Sequence, residues 1–402
     1  MSMNLSPAGV RKHIAFFGSR NAGKSSLVNA ITGQSRSVVS DTPGTTTDPV
    51  KTSMELLPLG PVVLIDTPGA DDTGALGEAR VEQTMRALDT AELAVLVADV
   101  TIGLSDTDRG LLAEIKKRRL PCVIAYNKSD LSDTTETADE TDIPHVFVSA
   151  KTGEGLEKLK AALIKAGETA EQTGPLVADL VAPGDTLVLV VPIDASAPKG
   201  RLILPQQQVI RDALEAGALP IVCRDTELSS ALTALKEPPR MVITDSQVFG
   251  KVAKTVPQNI ALTSFSILMA RFKGNLVPSV EGASVLKSIK DGDRILIAEG
   301  CTHHRQCEDI GTVKLPAWIR EFTGVTPEFS FSSGAEFPAD LSGFRLVIHC
   351  GACMQNPAEA QSRYARAKAQ GVPITNYGIA IAYMKGILKR SLSPFSDLPP
   401  IP

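Results

Sequence analysis

Short apolar runs recur along this chain, and between them apolar residues fall three and four positions apart. That alternation of period two and period 3.6 predicts parallel sheets covered by helices. In the first part, strands are expected at 13–17, 62–66, 93–99, 122–127 and 146–149, with helices over 24–32, 78–88, 106–118 and 156–166. The stretch 167–183, rich in Thr, Glu, Gly and Pro, reads as a linker. A second block follows, with strands at 187–191, 219–223, 241–243 and 260–262 and helices at 206–216 and 227–235. A third carries a helix over 282–290, a strand running into Cys301, a helix over 315–322, a strand at 344–349 and helices over 358–370 and 379–392. The expected division is 1–170, a linker at 171–183, then 184–273 and 274–402, each block an α/β domain with a mainly parallel sheet. No repeat of fixed period is visible.

A length of 402 residues suits several domains, each with its own core. The hydrophobic fraction of 43% and charged fraction of 21% are those of ordinary globular protein. The formal net charge of −4 argues against wholesale nucleic-acid binding, which needs a basic face. The longest apolar runs are strand-sized, and the first eleven residues lack the apolar core of a signal peptide, so a cytoplasmic protein without membrane spans is expected. In a reducing compartment a Cys-x-x-Cys pair is more often a metal or redox site than a structural disulfide. Cys122 and Cys223 lie in or beside apolar strands and read as small buried hydrophobes.

The first block carries chemistry in a fixed order. Gly18-Ser19-Arg20-Asn21-Ala22-Gly23-Lys24-Ser25, followed by Ser26, fits the phosphate loop G-x-x-x-x-G-K-[ST] between a strand and a helix. The glycines let backbone N–H groups turn inward around phosphate oxygens at a helix N-terminus. Lys24 neutralises the β- and γ-phosphates, and Ser25 offers a hard oxygen to Mg²⁺. Asp66-Thr67-Pro68-Gly69 ends the next strand: Asp66 can hold Mg²⁺ through water, and the Gly69 N–H can sense the γ-phosphate. Asn127-Lys128-Ser129-Asp130 selects the base, because the Asp130 carboxylate can accept two hydrogen bonds from the guanine N1–H and N2–H₂, which adenine cannot offer. Ser149-Ala150-Lys151 supplies a backbone N–H for the guanine O6. The expected architecture is therefore a P-loop GTPase domain followed by two further α/β domains, with GTP/GDP and Mg²⁺ as ligands.

Where many small GTPases place a water-orienting glutamine after Asp-x-x-Gly, this chain has Ala70, and no arginine finger is evident. Asn21 resembles the asparagine of MnmE-like GTPases, which use a K⁺ ion in place of the arginine. The segment Pro43-Gly44-Thr45-Thr46-Thr47-Asp48 matches that subfamily too, with Thr46 aligned to its Mg²⁺-binding threonine. The catalytic set expected is Lys24, Asn21, Thr46 and Gly69, with slow hydrolysis stimulated more by K⁺ than by Na⁺. The Gly-rich stretch 69–77 is expected to be a switch that orders with GTP.

A second chemistry lies far downstream. Cys301-Thr302-His303-His304 follows one expected strand and His349-Cys350-Gly351-Ala352-Cys353 another. Loops at the carboxyl ends of neighbouring parallel strands converge, so these thiolates can meet at one centre. Three cysteines leave a fourth position, for which His303, His304, Cys307, Glu308 and His349 are candidates. An iron–sulfur cluster with an exchangeable ligand, a Cys₃His zinc site and a dithiol redox pair all use such residues, although the pair leaves Cys301 and the histidines unexplained.

The GTPase head, the middle α/β block and the Cys-x-His … His-Cys-x-x-Cys tail together resemble the HydF family of [FeFe]-hydrogenase maturation GTPases. The resemblance covers essentially the whole chain. It implies a [4Fe–4S] cluster on Cys301, Cys350 and Cys353 in the block 274–402, and a homodimer formed through 184–273. It also implies a scaffold that receives a di-iron precursor built with the radical-SAM maturases HydE and HydG and passes it to the apo-hydrogenase. Glu308 is the first choice for a displaceable fourth ligand, then His303 and His349. The rival function is a zinc-stabilised relative of the tRNA-modifying or ribosome-associated GTPases.

Overall fold

In a computed structural model of the chain, the described residues are 9, 11–33, 50–69, 75–132, 142–169, 174–193, 202–300, 309–334 and 336–395, with only the backbone described at 75–79 and 169. They divide into two compact units, Met1–Gln172 and Thr173–Pro402.

The first unit is built on a six-stranded sheet formed by β1 (Lys12–Phe17), β2 (Val50–Leu56), β3 (Gly60–Asp66), β4 (Leu93–Asp99), β5 (Cys122–Asn127) and β6 (His145–Phe147). Its order is β2-β3-β1-β4-β5-β6, and only β2–β3 is antiparallel. Helices α1 (Lys24–Thr32), α2 (Ala75–Thr90), α3 (Asp106–Lys117) and α4 (Leu156–Thr169) complete it. Successive strand residues point to opposite faces. Ile14, Phe16, Leu64 and Val95 therefore enter one core with Leu27 and Leu159, while Ala15, Phe17, Ile65 and Leu96 enter the other with Ile115 and Tyr126. Both faces are covered, and so these strands read as unbroken apolar runs. Strand β2 was not expected: it is an edge strand with a largely polar, half-buried sequence, held by its ladder to β3.

The second unit holds two four-stranded parallel sheets. The first comprises β7 (Thr186–Val190), β8 (Leu219–Cys223), β9 (Met241–Thr244) and β10 (Ala261–Ser264) in the order β10-β9-β7-β8, with α5 (Leu204–Glu215), α6 (Leu228–Ala234), α7 (Phe249–Thr255) and α8 (Phe265–Phe272). The second comprises β11 (Arg294–Ala298), β12 (Glu328–Ser332), β13 (Leu346–His349) and β14 (Ile374–Asn376) in the order β12-β11-β13-β14. Around it lie α9 (Leu276–Ala283), α10 (Leu315–Thr323), α11 (Pro357–Ala369) and α12 (Tyr377–Met384), while α13 (Leu388–Leu392) returns to the first sheet beside β10.

Three local expectations differ from the structure for identifiable reasons. Within the expected linker, Leu176 and Val177 are buried in the core around β7, and the N–H groups of Val177 and Ala178 donate to Asp212 Oδ2 at 2.7 and 2.8 Å. The helix expected over 282–290 is instead the end of α9 followed by a 3₁₀ turn. Gly282 is there because a Cβ would lie 2.1 Å from the Ile374 carbonyl oxygen, where α9 crosses β14. The last helix is two, split at Gly386, whose φ of +69° favours glycine. Ile379, Ala382, Leu388 and Leu392 then pack into the core of the preceding sheet. No helix among the described residues is long and apolar enough to cross a membrane.

Candidate functional site

The phosphate loop leaves β1 and enters α1 through two glycines that no other residue could replace. A Cβ on Gly18 would lie 2.1 Å from the Val97 carbonyl oxygen, and one on Gly23 would lie 2.2 Å from Asn127 Nδ2. Gly18, Asn21 and Gly23 all have positive φ, which folds the loop tightly enough to turn its amides inward. No side chain among the described residues caps α1 and no acid stands in its first turn, so its N-terminal N–H groups suit an anion. Lys24 is buried, and its ammonium donates to the carbonyl oxygens of Gly18 and Ser19, both at 2.8 Å.

Asp66, at the end of β3, accepts a hydrogen bond from Ser25 Oγ at 2.5 Å through Oδ2, while buried Oδ1 has no hydrogen-bond partner among the described residues. Burial raises the Asp66 pKa, against the opposing pull of Ser25 and Lys24. A desolvated carboxylate with an open oxygen beside a serine hydroxyl is a donor set that suits Mg²⁺ and its waters. Gly69 packs on the loop backbone, where a Cβ would stand 3.0 Å from Arg20 Cα. Thr46 and Ala70 lie outside the described residues.

The base-side motifs are joined to the phosphate loop. Asn127 Nδ2 donates to the Ala22 carbonyl at 2.9 Å, and Asn127 Oδ1 accepts the Ala150 N–H at 3.0 Å. One buried amide thereby ties three loops together. Lys128, with φ 65°, pairs with Asp99 at 2.5 Å. Asp130 accepts Ser149 Oγ at 2.7 Å and faces Lys151 Nζ at 3.9 Å, leaving carboxylate lone pairs for a base edge.

In the second unit, β13 ends at His349 and delivers Cys350 and Cys353 to a turn in which Ala352 adopts φ 54°. Cys350 Sγ accepts the N–H of Gly300 at 3.0 Å and that of Ala352 at 3.3 Å. Burial, with Cys353 beside it, pushes the Cys350 thiol up to about 11. Cys353 is also raised by burial, opposed by the Lys273 ammonium. Buried His349 has Nδ1 2.9 Å from the Cys350 carbonyl and Nε2 3.2 Å from Arg363. Burial and then the Arg363 charge hold its pKa at about 3, so the ring is neutral, with Nδ1–H donating and Nε2 accepting. Both nitrogens are committed, which leaves His349 no lone pair for a metal in this arrangement.

Cys301, His303, His304, Cys307 and Glu308 lie outside the described residues, among which no group of three metal-ligating side chains occurs. Two residues that the sequence reading missed stand around the thiols. Lys273, at the C-terminal cap of α8, is buried and donates to the Ala352 and Gln355 carbonyls, the latter at 2.6 Å. Arg363, on α11, is buried and donates to the Gly334 carbonyl and to Glu359 at 3.0 Å. Neither belongs to a motif. Lys273 follows an apolar helix, whereas Arg363 sits in a polar one among other charged residues, so the sequence does not single it out.

Three segments of the chain match models of known protein families. A model of the hydrogen maturase F dimerization domain matches residues 176–274, and one of the hydrogen maturase F tetramerization domain matches 277–394. A 50S ribosome-binding GTPase model matches 13–128. The tRNA modification GTPase MnmE of Nitrosomonas europaea is 38% identical over 164 residues, which is 40% of this chain and 36% of that protein. GTPase Der of Kosmotoga olearia is 36% identical over 171 residues, 39% of this chain and 38% of that protein. The chain thus spans little more than a third of the length of these curated relatives. The elongation factor SelB of Methanococcus maripaludis, solved with a GTP analogue, matches at 21% identity and a TM-score of 0.33, over 44% of this chain and 36% of that one. The two hydrogen maturase F models together span more than half of the chain, which belongs to the hydrogen maturase F (HydF) family and carries a GTPase domain at its head.

Proposed function

We propose that this protein is a GTP-hydrolysing scaffold of [FeFe]-hydrogenase maturation that carries a [4Fe–4S] cluster on Cys301, Cys350 and Cys353. It accepts a di-iron precursor from the radical-SAM maturases HydE and HydG and delivers it to the apo-hydrogenase. The observation that carries the reading is the hydrogen bond from the N–H of Gly300, the residue before Cys301, to Cys350 Sγ at 3.0 Å. It brings two remote chain segments to one sulfur. The donor set fits a cluster: amide donors to sulfur and two buried cations offset the negative charge of thiolate-bound iron. When bound, the cluster supplies an iron with one exchangeable position. With His349 committed to Arg363 and Cys350, that position falls to Glu308 first and His303 second.

Anaerobic iron, sulfide and zinc analysis tests this. Wild type should be brown with about four irons per protomer by the definition of the cluster. Cys353→Ser should lose most of that iron, and Glu308→Ala should keep it with an altered EPR spectrum. Zinc without sulfide would establish the rival zinc-stabilised GTPase.

At the nucleotide site, Lys24 and the loop amides hold the phosphates, Ser25, Thr46 and Asp66 serve Mg²⁺, and Asn21 holds a K⁺ ion that balances charge between the β- and γ-phosphates. Hydrolysis should run faster in KCl than in NaCl at equal ionic strength; identical rates would remove the cation from the scheme.

The subunits associate through the middle module, whose edge strand β8 leaves Leu219 at 57% and Val222 at 45% exposed. An apolar edge strand is a template for pairing with another copy. Val222→Lys should halve the mass seen by light scattering at micromolar concentration, and an unchanged mass would relocate the interface.

A further inference from the structure

Asp108 has no place in the nucleotide motifs, yet its carboxylate is almost fully buried and shared between two partners. On one side it closes the capping box of α3: Oδ2 accepts the Ser105 N–H at 3.0 Å and the Ser105 hydroxyl at 2.7 Å, while Ser105 Oγ accepts the Asp108 N–H. A capping box uses one carboxylate oxygen and ordinarily leaves the other to water. Here Oδ1 reaches the phosphate loop. It accepts the Ser19 N–H at 2.9 Å and the Ser19 hydroxyl at 3.0 Å, and Ser19 Oγ lies 2.8 Å from Ser105 Oγ. Asp108 is 2% exposed, so these bonds form away from water.

The Ser19 N–H and the Gly18 C=O belong to the same planar peptide unit. The N–H of that unit meets the Asp108 carboxylate at 2.9 Å, and its C=O meets the Lys24 ammonium at 2.8 Å. One rigid amide thus stands between a buried anion and a buried cation. The carboxylate polarises the amide and makes its oxygen a better acceptor. Because the unit is planar, fixing its N–H fixes the direction of its C=O. On its other flank, Gly18 is pressed so closely against Val97 that no side chain fits. Sequence spacing alone gives no hint of this link, since Asp108 lies 89 residues from Ser19.

We propose that Asp108 is a positioning residue of the nucleotide site: through the Gly18–Ser19 peptide it orients the Lys24 ammonium toward the phosphates. It touches no substrate itself. Its contribution should be felt by GDP and GTP alike, since the amine faces the β-phosphate in both, while guanine selection at Asp130 stays untouched.

The test is titration of the full-length protein with fluorescent mant-GDP and with a non-hydrolysable mant-GTP analogue. Asp108→Ala removes a charge-assisted hydrogen bond to the peptide and should weaken both ligands about 10-fold. Asp108→Asn, which keeps the shape and loses the charge, should weaken them about 3-fold and serves should the alanine variant fail to fold. The preference for guanine over adenine nucleotide should be unchanged in each. Leu111→Ala, on the same helix but packed in the core, controls for loosening of α3: it should lower the melting temperature without a comparable loss of affinity. Wild-type affinity in the Asp108 variants, or an equal loss in Leu111→Ala, would overturn the assignment.

Discussion

Lys24→Ala should lower kcat/KM for GTP by about 100-fold or more, the cost typical of losing one preorganised charge-stabilising donor. Its ammonium is held by the Gly18 and Ser19 carbonyls, which fixes the charge at the phosphate loop. The loop amides and Mg²⁺ remain in the variant, so weak nucleotide binding should persist while hydrolysis falls further than affinity. The head should stay folded, because its cores on both sheet faces are assembled from residues such as Phe16, Phe17, Leu64 and Ile124, which Lys24 does not join. Single-turnover hydrolysis beside a thermal melt separates these effects. Near-wild-type turnover in a folded variant would show that the loop lysine is dispensable here and would undo the charge argument for this site.

The head was legible in the sequence because its chemistry is local. Gly18 to Ser25 sit on one turn, and Asn127 to Asp130 on another, so the chain order alone announces the geometry. Most of the parallel strands were legible for a different reason: burial on both faces makes them continuous apolar runs, whereas β12 and β14, short and partly polar, were not expected. What escaped was whatever depends on packing at a distance. Strand β2 is largely polar and only half-buried, and its pairing with β3 makes it a strand. The break at Gly386 is a backbone requirement inside an otherwise periodic stretch. Lys273 and Arg363 read as ordinary basic residues, and their burial beside the thiols, Lys273 near Cys353 and Arg363 near Cys350, is set by the tertiary fold. His349, by contrast, was visible as a ligand candidate, and it took the third dimension to show its nitrogens spent on a carbonyl and a guanidinium.

Lys273→Met should loosen the thiol loop and release the iron of the proposed cluster about 10- to 100-fold faster to a chelator under anaerobic conditions, the range seen when an outer-shell partner of a metal site is removed. In the native arrangement one buried ammonium ties the carbonyls of Ala352 and Gln355, on either side of Cys353, and lowers the cost of a thiolate at Cys353. Methionine fills a similar volume, so the change removes charge and donors with little cavity. The Ala352 carbonyl keeps only the Gln355 N–H, both carbonyls lose the ammonium, and the sulfurs lose a nearby positive charge. The second loss should also lower the reduction potential of the proposed cluster, because less positive surroundings favour the oxidised, less negative state. Lys273→Arg keeps the charge while changing the donor geometry, so it should retain most of the potential and only part of the iron-retention time. The two readouts therefore separate electrostatics from anchoring. Because α8 is part of the segment matched by the dimerization model, the experiment also asks whether that module contributes to the thiolate site. Unchanged iron release and potential in Lys273→Met, with wild-type cluster content, would assign the ammonium to folding alone.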